Sequence, residues 1–94
     1  LMNELAMLSG PVWISVDIDV LEGYLVPSTG TPVPGGLTWW HLESALAQIF
    51  ESKSSVIGAD VVETVPDLQG SLTPFTAAMI ATRLVGGHIH RSIQ

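Results

Sequence analysis

PVWISVDIDV, residues 11–20, is the stretch that decides the fold. Val12, Ile14, Val16 and Ile18 alternate with Trp13, Ser15, Asp17 and Asp19. Strand side chains point to opposite faces with period two, so the segment is predicted as a β-strand. Its near-continuous apolarity predicts a parallel strand covered on both faces. Asp17 and Asp19 then share a face, with Cβ atoms ~6–7 Å apart at a rise of ~3.3 Å per residue. Two ionised carboxylates at that range, partly desolvated, repel each other. A proton on one of them, or a cation between them, relieves the repulsion. Three Lys and Arg stand against nine Asp and Glu, which makes a metal the economical counter-charge. Oxygen donors suit Mg, Ca or Mn. A single Asp at a strand end is also commonly a cap or turn former, and that plainer role competes for each acid taken alone.

The flanking sequence supplies the rest of the architecture. Residues 2–8 carry a short amphipathic pattern, closed by the breakers Ser9, Gly10 and Pro11. Residues 20–37 hold three Pro and four Gly, which excludes a regular helix or central strand. A loop of that length in a compact domain is usually functional. Thr38 is predicted as an N-cap, with helical spacing at Leu42, Ala45, Leu46, Ile49 and Phe50, and with Lys53 in or just beyond the last turn. Residues 55–62 read as a second buried-type strand that ends at Glu63. Thr73 and Pro74 are predicted as N-cap and first residue of a last helix, which Gly86 and Gly87 stop, leaving HIHRSIQ as a frayed tail. The order helix, strand, loop, helix, strand, loop, helix is a βαβ unit with flanking helices, hence an α/β fold with a parallel sheet. Ligands of such sheets bind off the carboxyl ends of the strands, where Asp17, Asp19 and Glu63 all fall. Two strands leave two open sheet edges. The expectation is therefore part of a larger domain, with further strands upstream.

Composition narrows the partners. The formal charge is −6 over 94 residues, with no basic stripe for nucleic acid or for an anionic membrane surface. Apolar residues make up 47 %, enough for a packed core, yet no run approaches the ~20 residues of a membrane span. The opening LMNELAML has no basic leader and is not expected to be a signal peptide. The absence of Cys excludes disulfides and thiolate metal sites and fits a cytoplasmic location. His41, His88 and His90 read as surface or packing residues, Trp39 and Trp40 as core or subunit contacts, and Arg83 as a solvated or ion-paired side chain.

The longer pattern is more specific. S-V-D-I-D-V-L at 15–21, P-S-T-G-T-P-V-P-G-G-L-T at 27–38 and D-V-V-E-T-V-P at 60–66 together resemble the ureohydrolase family of arginases and agmatinases. The resemblance runs from about Val12 to Pro66 in order and spacing. It implies a three-layer αβα fold with a parallel sheet, of which residues 1–94 form the C-terminal part, two strands and about three helices of a single domain. It implies a binuclear manganese (Mn2+) site, with Asp17 as the bridging carboxylate and Asp19 bound to one metal. Glu63 matches the acid that faces the substrate guanidinium, and Thr31 matches a position beside the site. No catalytic residue is assigned within the chain. The reaction implied is metal-assisted hydrolysis of a small guanidino compound, of agmatine or arginine type, to urea and an amine, as in polyamine and arginine metabolism. Family members are often trimers or hexamers, so a homo-oligomer is expected of the intact protein. Glu22-Gly23 replaces the family's common Asp-Pro, which keeps an acid and loses a stiffening Pro. The family's upstream His ligand, its D-A-H-x-D motif and its proton-shuttle His have no counterpart among the 94 residues. The chain alone is accordingly expected neither to hold two metals nor to turn over. Two other readings compete: a non-catalytic fragment or pseudoenzyme of the same fold, and a haloacid-dehalogenase-type phosphatase. The phosphatases open on D-x-D but want Thr or Val where Leu21 stands.

Overall fold

A computed structural model of the chain describes residues 2–23, 26, 35–65 and 72–92. Helix α1 is Met2–Ala6, strand β1 Ser9–Asp17, helix α2 Trp39–Glu51, strand β2 Lys53–Val62 and helix α3 Leu72–Ser92. A single 3₁₀ turn, Ile18–Val20, follows β1. Among the described residues β1 and β2 form a two-stranded parallel sheet, the βαβ unit that the sequence order predicts. None of the described helices is long and apolar enough to cross a membrane.

The ladder runs from Ser9 opposite Lys53 to Asp17 opposite Val62. Its register shifts once: Val12 faces Val56, but Trp13 faces Gly58, so Ile57 is the extra residue of a bulge. The bulge reverses the phase of β2. Val56 packs against the core before it and Val61 after it. Ile57 itself is left 65 % exposed. Both longer helices cover the same face of the sheet. Ile14, Val16 and Ile18 pack with Leu42, Leu46 and Phe50 of α2 and with Ile80 and Leu84 of α3. The opposite face of β1 is open: Trp13 is 58 % exposed, and Ser15 and Asp17 are exposed beside it. The expectation of a strand covered on both faces is therefore corrected to one covered face among the described residues.

Thr38 caps α2 as its chemistry predicts. Its backbone is extended, and its hydroxyl accepts the His41 N–H at 3.2 Å. Lys53, expected near the end of α2, instead opens β2. The turn needs only Ser52. Its hydroxyl donates to the Ile49 carbonyl at 2.6 Å and lies 2.7 Å from the Ser54 hydroxyl, so two buried serines satisfy each other at once.

Helix α3 departs from expectation at both ends. It begins at Leu72, so Thr73 and Pro74 lie inside its first turn. It also continues through Gly86 and Gly87 to Ser92. A Cβ on Gly87 would stand 2.5 Å from the Phe50 ring, so the glycine is where α3 and α2 meet most closely. The supposed tail is anchored by Arg91. Its Nη1 donates to the carbonyls of Phe50 at 2.6 Å and Ser52 at 2.8 Å, at the C-terminal end of α2. Tertiary contact, not local propensity, carries the helix past two residues that disfavour it.

Adjacent glycines should therefore respond in opposite directions. Gly86 has open space around its Cβ position, and Gly86→Ala should stabilise by up to about 1 kcal/mol through helix propensity. Gly87→Ala should destabilise by about 1–3 kcal/mol, because the overpacking against Phe50 outweighs that gain. Denaturant midpoints of the two variants check the pair. Equal shifts of the same sign would contradict the packing described.

Candidate metal and substrate site at the strand ends

Strand β1 stops at Asp17, and this changes how the two aspartates are displayed. Asp19 is not the next outward residue of an extended strand; it lies in the 3₁₀ turn. The Asp17 carboxylate caps that turn, its Oδ1 accepting the Asp19 N–H at 3.1 Å. The plainer role of a strand-end Asp is thus present at Asp17. One oxygen serves the cap, and a carboxylate has acceptor capacity on both of its oxygens. Between the acids sits Ile18, fully buried, and Leu21, one turn on, is fully buried too. Residues three apart eclipse in a 3₁₀ helix, so Ile18 and Leu21 anchor the turn together. Asp17 is left exposed and Asp19 half-buried at the carboxyl edge.

Glu63 reaches the same edge from β2. It is the residue after Val62, the register partner of Asp17. Its backbone φ is 68°, in the left-handed region that costs a non-glycine residue roughly 1–2 kcal/mol. Such an outlier is the kind that persists where a site needs it. Asp17 and Glu63, far apart in the chain, are therefore neighbours in the topology. Among the described residues no three His, Cys, Asp or Glu side chains come together to cage a metal. Asp17 and Asp19 are hard oxygen donors of the type that divalent cations such as Mg and Mn take, so they fit part of a coordination shell. His41, His88 and His90 are exposed on α2 and α3, and Arg83 pairs with Glu43 at 3.5 Å. Thr31 lies outside the described residues.

Two further acids organise the surroundings. Glu22 holds the base of the long loop: its Oε2 accepts the Gly35 N–H at 3.1 Å, while its own N–H donates to the Leu37 carbonyl at 2.9 Å. Leu21 and Leu37 pair there in parallel. Gly36 is required at this closure, since a Cβ would stand 2.7 Å from the Leu21 carbonyl. The second acid is Asp60. Its Oδ2 accepts the Trp13 indole N–H at 2.6 Å and its Oδ1 accepts the Ser15 hydroxyl at 2.7 Å. The Ser15 bond, then the Trp13 bond, hold its carboxyl below the ordinary aspartate range. Simple alternation from Val56 would send Asp60 to the core, so only the bulge at Ile57 puts it beside Ser15. The sequence does carry one hint: D-x-x-E ends β2 just as S-x-D ends β1.

A groove of about 460 Å³ between β2 and α3 is lined mainly by apolar residues such as Val56, Val61, Leu84 and Val85.

Comparison with known proteins places this edge in context. A family described as the arginase family matches residues 1–86. The chain belongs to that family. The match extends the sequence resemblance through α1 and into most of α3. An agmatinase of Pyrococcus horikoshii is 42 % identical over 79 residues, which cover 84 % of this chain and 28 % of that protein. An N(1)-aminopropylagmatine ureohydrolase of Thermococcus kodakarensis is 39 % identical over 79 residues, covering 84 % and 27 %. Among solved structures, a putative agmatinase from Clostridium difficile superposes with a TM-score of 0.79 at 30 % identity, over 99 % of this chain and 34 % of that one. Proclavaminate amidino hydrolase from Streptomyces clavuligerus gives 0.74 at 36 %, over 83 % and 26 %. The chain thus spans between a quarter and a third of the length of these arginase-family relatives. Their fold bears out the α/β reading of the two strands and three helices described here.

Asp60 yields a pH prediction. Its carboxyl is depressed in the folded state, so its contribution to stability is fully present above the pKa of the unfolded chain and is lost as pH falls through the folded value. The bonds to Ser15 and Trp13 should persist through neutral and mildly acidic solution and loosen only below the ordinary aspartate range. A carbon-13 titration of the Asp60 carboxyl checks this; a midpoint at or above that range would contradict it.

Proposed function

We propose that the chain is part of a manganese-dependent amidinohydrolase that converts a guanidino compound, of agmatine or arginine type, to urea and an amine. One observation carries the reading: the parallel register sets Asp17 opposite Val62 and so brings Asp17, Asp19 and Glu63 to a single carboxyl edge. Family membership supports the reaction class. Agmatinase and aminopropylagmatine ureohydrolase among the relatives favour an agmatine-like substrate.

In this reading Asp17 and Asp19 would hold manganese through carboxylate oxygens. When bound, the metal pair supplies acidification of water near neutral pH. Glu63 binds the planar guanidinium through charge-assisted hydrogen bonds and orients its carbon. Orientation by such a pair turns binding energy into positioning. Glu22 keeps the loop base shut beside the edge. The remaining metal ligands come from parts of an arginase-family fold beyond these residues. Trimer or hexamer assembly belongs to the same reading, and the exposed Trp40 and Phe75 offer apolar surface for it.

The protein at its natural length should release urea from agmatine or arginine with Mn2+, lose that activity on chelation and regain it on Mn2+ addition. Asp17→Asn and Glu63→Gln should each lose at least the ~10–100-fold that removing even an outer-shell partner costs at metal sites. Wild-type rates in both variants would refute the assignment. A metal-free, inactive protein would favour the pseudoenzyme reading, which the lack of a third metal-caging side chain among the described residues keeps in play.

A further inference from the structure

We infer that Asp60 is a positioning residue that staples the carboxyl end of β1 to β2 and so sets Asp17 and Glu63 relative to each other. The inference deepens the proposed function and rests on it for the roles of those two acids. Three features of the open sheet face carry it.

The first is placement. Asp60 stands opposite Ser15 in the ladder, two residues before Asp17 is reached on β1 and three before Glu63 on β2. The second is bonding. Each carboxylate oxygen takes its own short hydrogen bond, Oδ2 from Trp13 and Oδ1 from Ser15. Both donors lie on the other strand, at alternate positions of one face. Bonds to an ionised acceptor are roughly twice as strong as neutral ones, and two in parallel fix geometry as well as distance. The third is room. A side chain on Gly58 would collide with the Trp13 ring, so glycine there lets the indole lie across β2 and bring its N–H to Asp60.

The staple matters because the ladder has a weak point just behind it. The bulge at Ile57 absorbs one residue between Val56 and Gly58. Moving or losing that bulge would slip residues 58–62 by one position and turn each to the opposite face. Asp60 would then point towards the core as a bare carboxylate, and both bonds would break. The same slip would displace Glu63 from its place beside Asp17. Asp60 therefore penalises the one register error that would dismantle the edge.

The test uses the protein at its natural length and three measurements: Mn2+ binding by titration, kcat and KM for urea release, and amide hydrogen exchange resolved by residue. Asp60→Ala should speed exchange at residues 16–19 and 61–63, weaken Mn2+ binding by ~10–100-fold and raise KM as well as lower kcat. Asp60→Asn should recover most of each, since its carbonyl can still accept from Trp13 and its amide can donate to the Ser15 hydroxyl. Trp13→Phe and Ser15→Ala, which each remove one bond, should fall between. Unchanged exchange at both strand ends in Asp60→Ala would overturn the inference whatever the activity. So would losses in Mn2+ binding and turnover that track only the folded fraction, or an Asp60→Asn no better than Asp60→Ala. Should the wild-type protein release no urea and bind no Mn2+, the proposed function fails. The exchange comparison still decides whether Asp60 holds the two strand ends together.

Discussion

The parallel pairing of β1 with β2 is the constraint on which everything else depends. Parallel strands present their carboxyl ends at one edge, so Asp17 and Glu63 both lie there although the whole helical crossover separates them in the chain. The ladder is not uniform. One extra residue at Ile57 changes the phase of β2, and the residues beyond it owe their orientation to that shift. Asp60 faces Trp13 and Ser15 across the open side of the sheet for this reason, and Val61 faces the helices.

Packing beneath the sheet holds this edge in place. Ile18 and Leu21 are fully buried under the turn that carries Asp19, and each such side chain contributes about 1.5–3 kcal/mol by leaving water. The two buried anchors turn the intervening Asp19 and Val20 outward. At the far end of the layer, Gly87 admits the Phe50 ring and Arg91 binds carbonyls at the C-terminal end of α2. Helix α3 is thereby tied to the start of β2, whose other end carries Asp60 and Glu63. The site acids sit on the polar rim of a core whose apolar contacts fix their backbone.

Membership of the arginase family and a span of roughly a quarter of its relatives' length fit one another. The described residues supply two candidate metal carboxylates and one candidate substrate carboxylate, all acceptors, and no cluster of three metal-caging side chains. They supply a covered sheet face and an open one. The left-handed backbone at Glu63 and the exposed indole of Trp13 are local costs of the kind that gather near candidate sites.

Much of this was legible in the residues. Alternation in PVWISVDIDV marked β1, Thr38 marked the start of α2, and the order of elements implied a parallel sheet with acids at its carboxyl edge. These are local or topological signals, and local chemistry suffices to read them. Other features depended on contacts between distant segments. Period-two counting carried β1 through Asp19, but burial of Ile18 and Leu21 ended it at Asp17. Propensity ended α3 at Gly86, but Phe50 and Arg91 carried it to Ser92. The bulge at Ile57 left no mark in composition, and with it the role of Asp60 was hidden. Sequence by itself determined which elements form and which acids end the strands, because those follow from neighbours along the chain. Tertiary structure alone decided register, phase and helix length, because those follow from what each segment packs against.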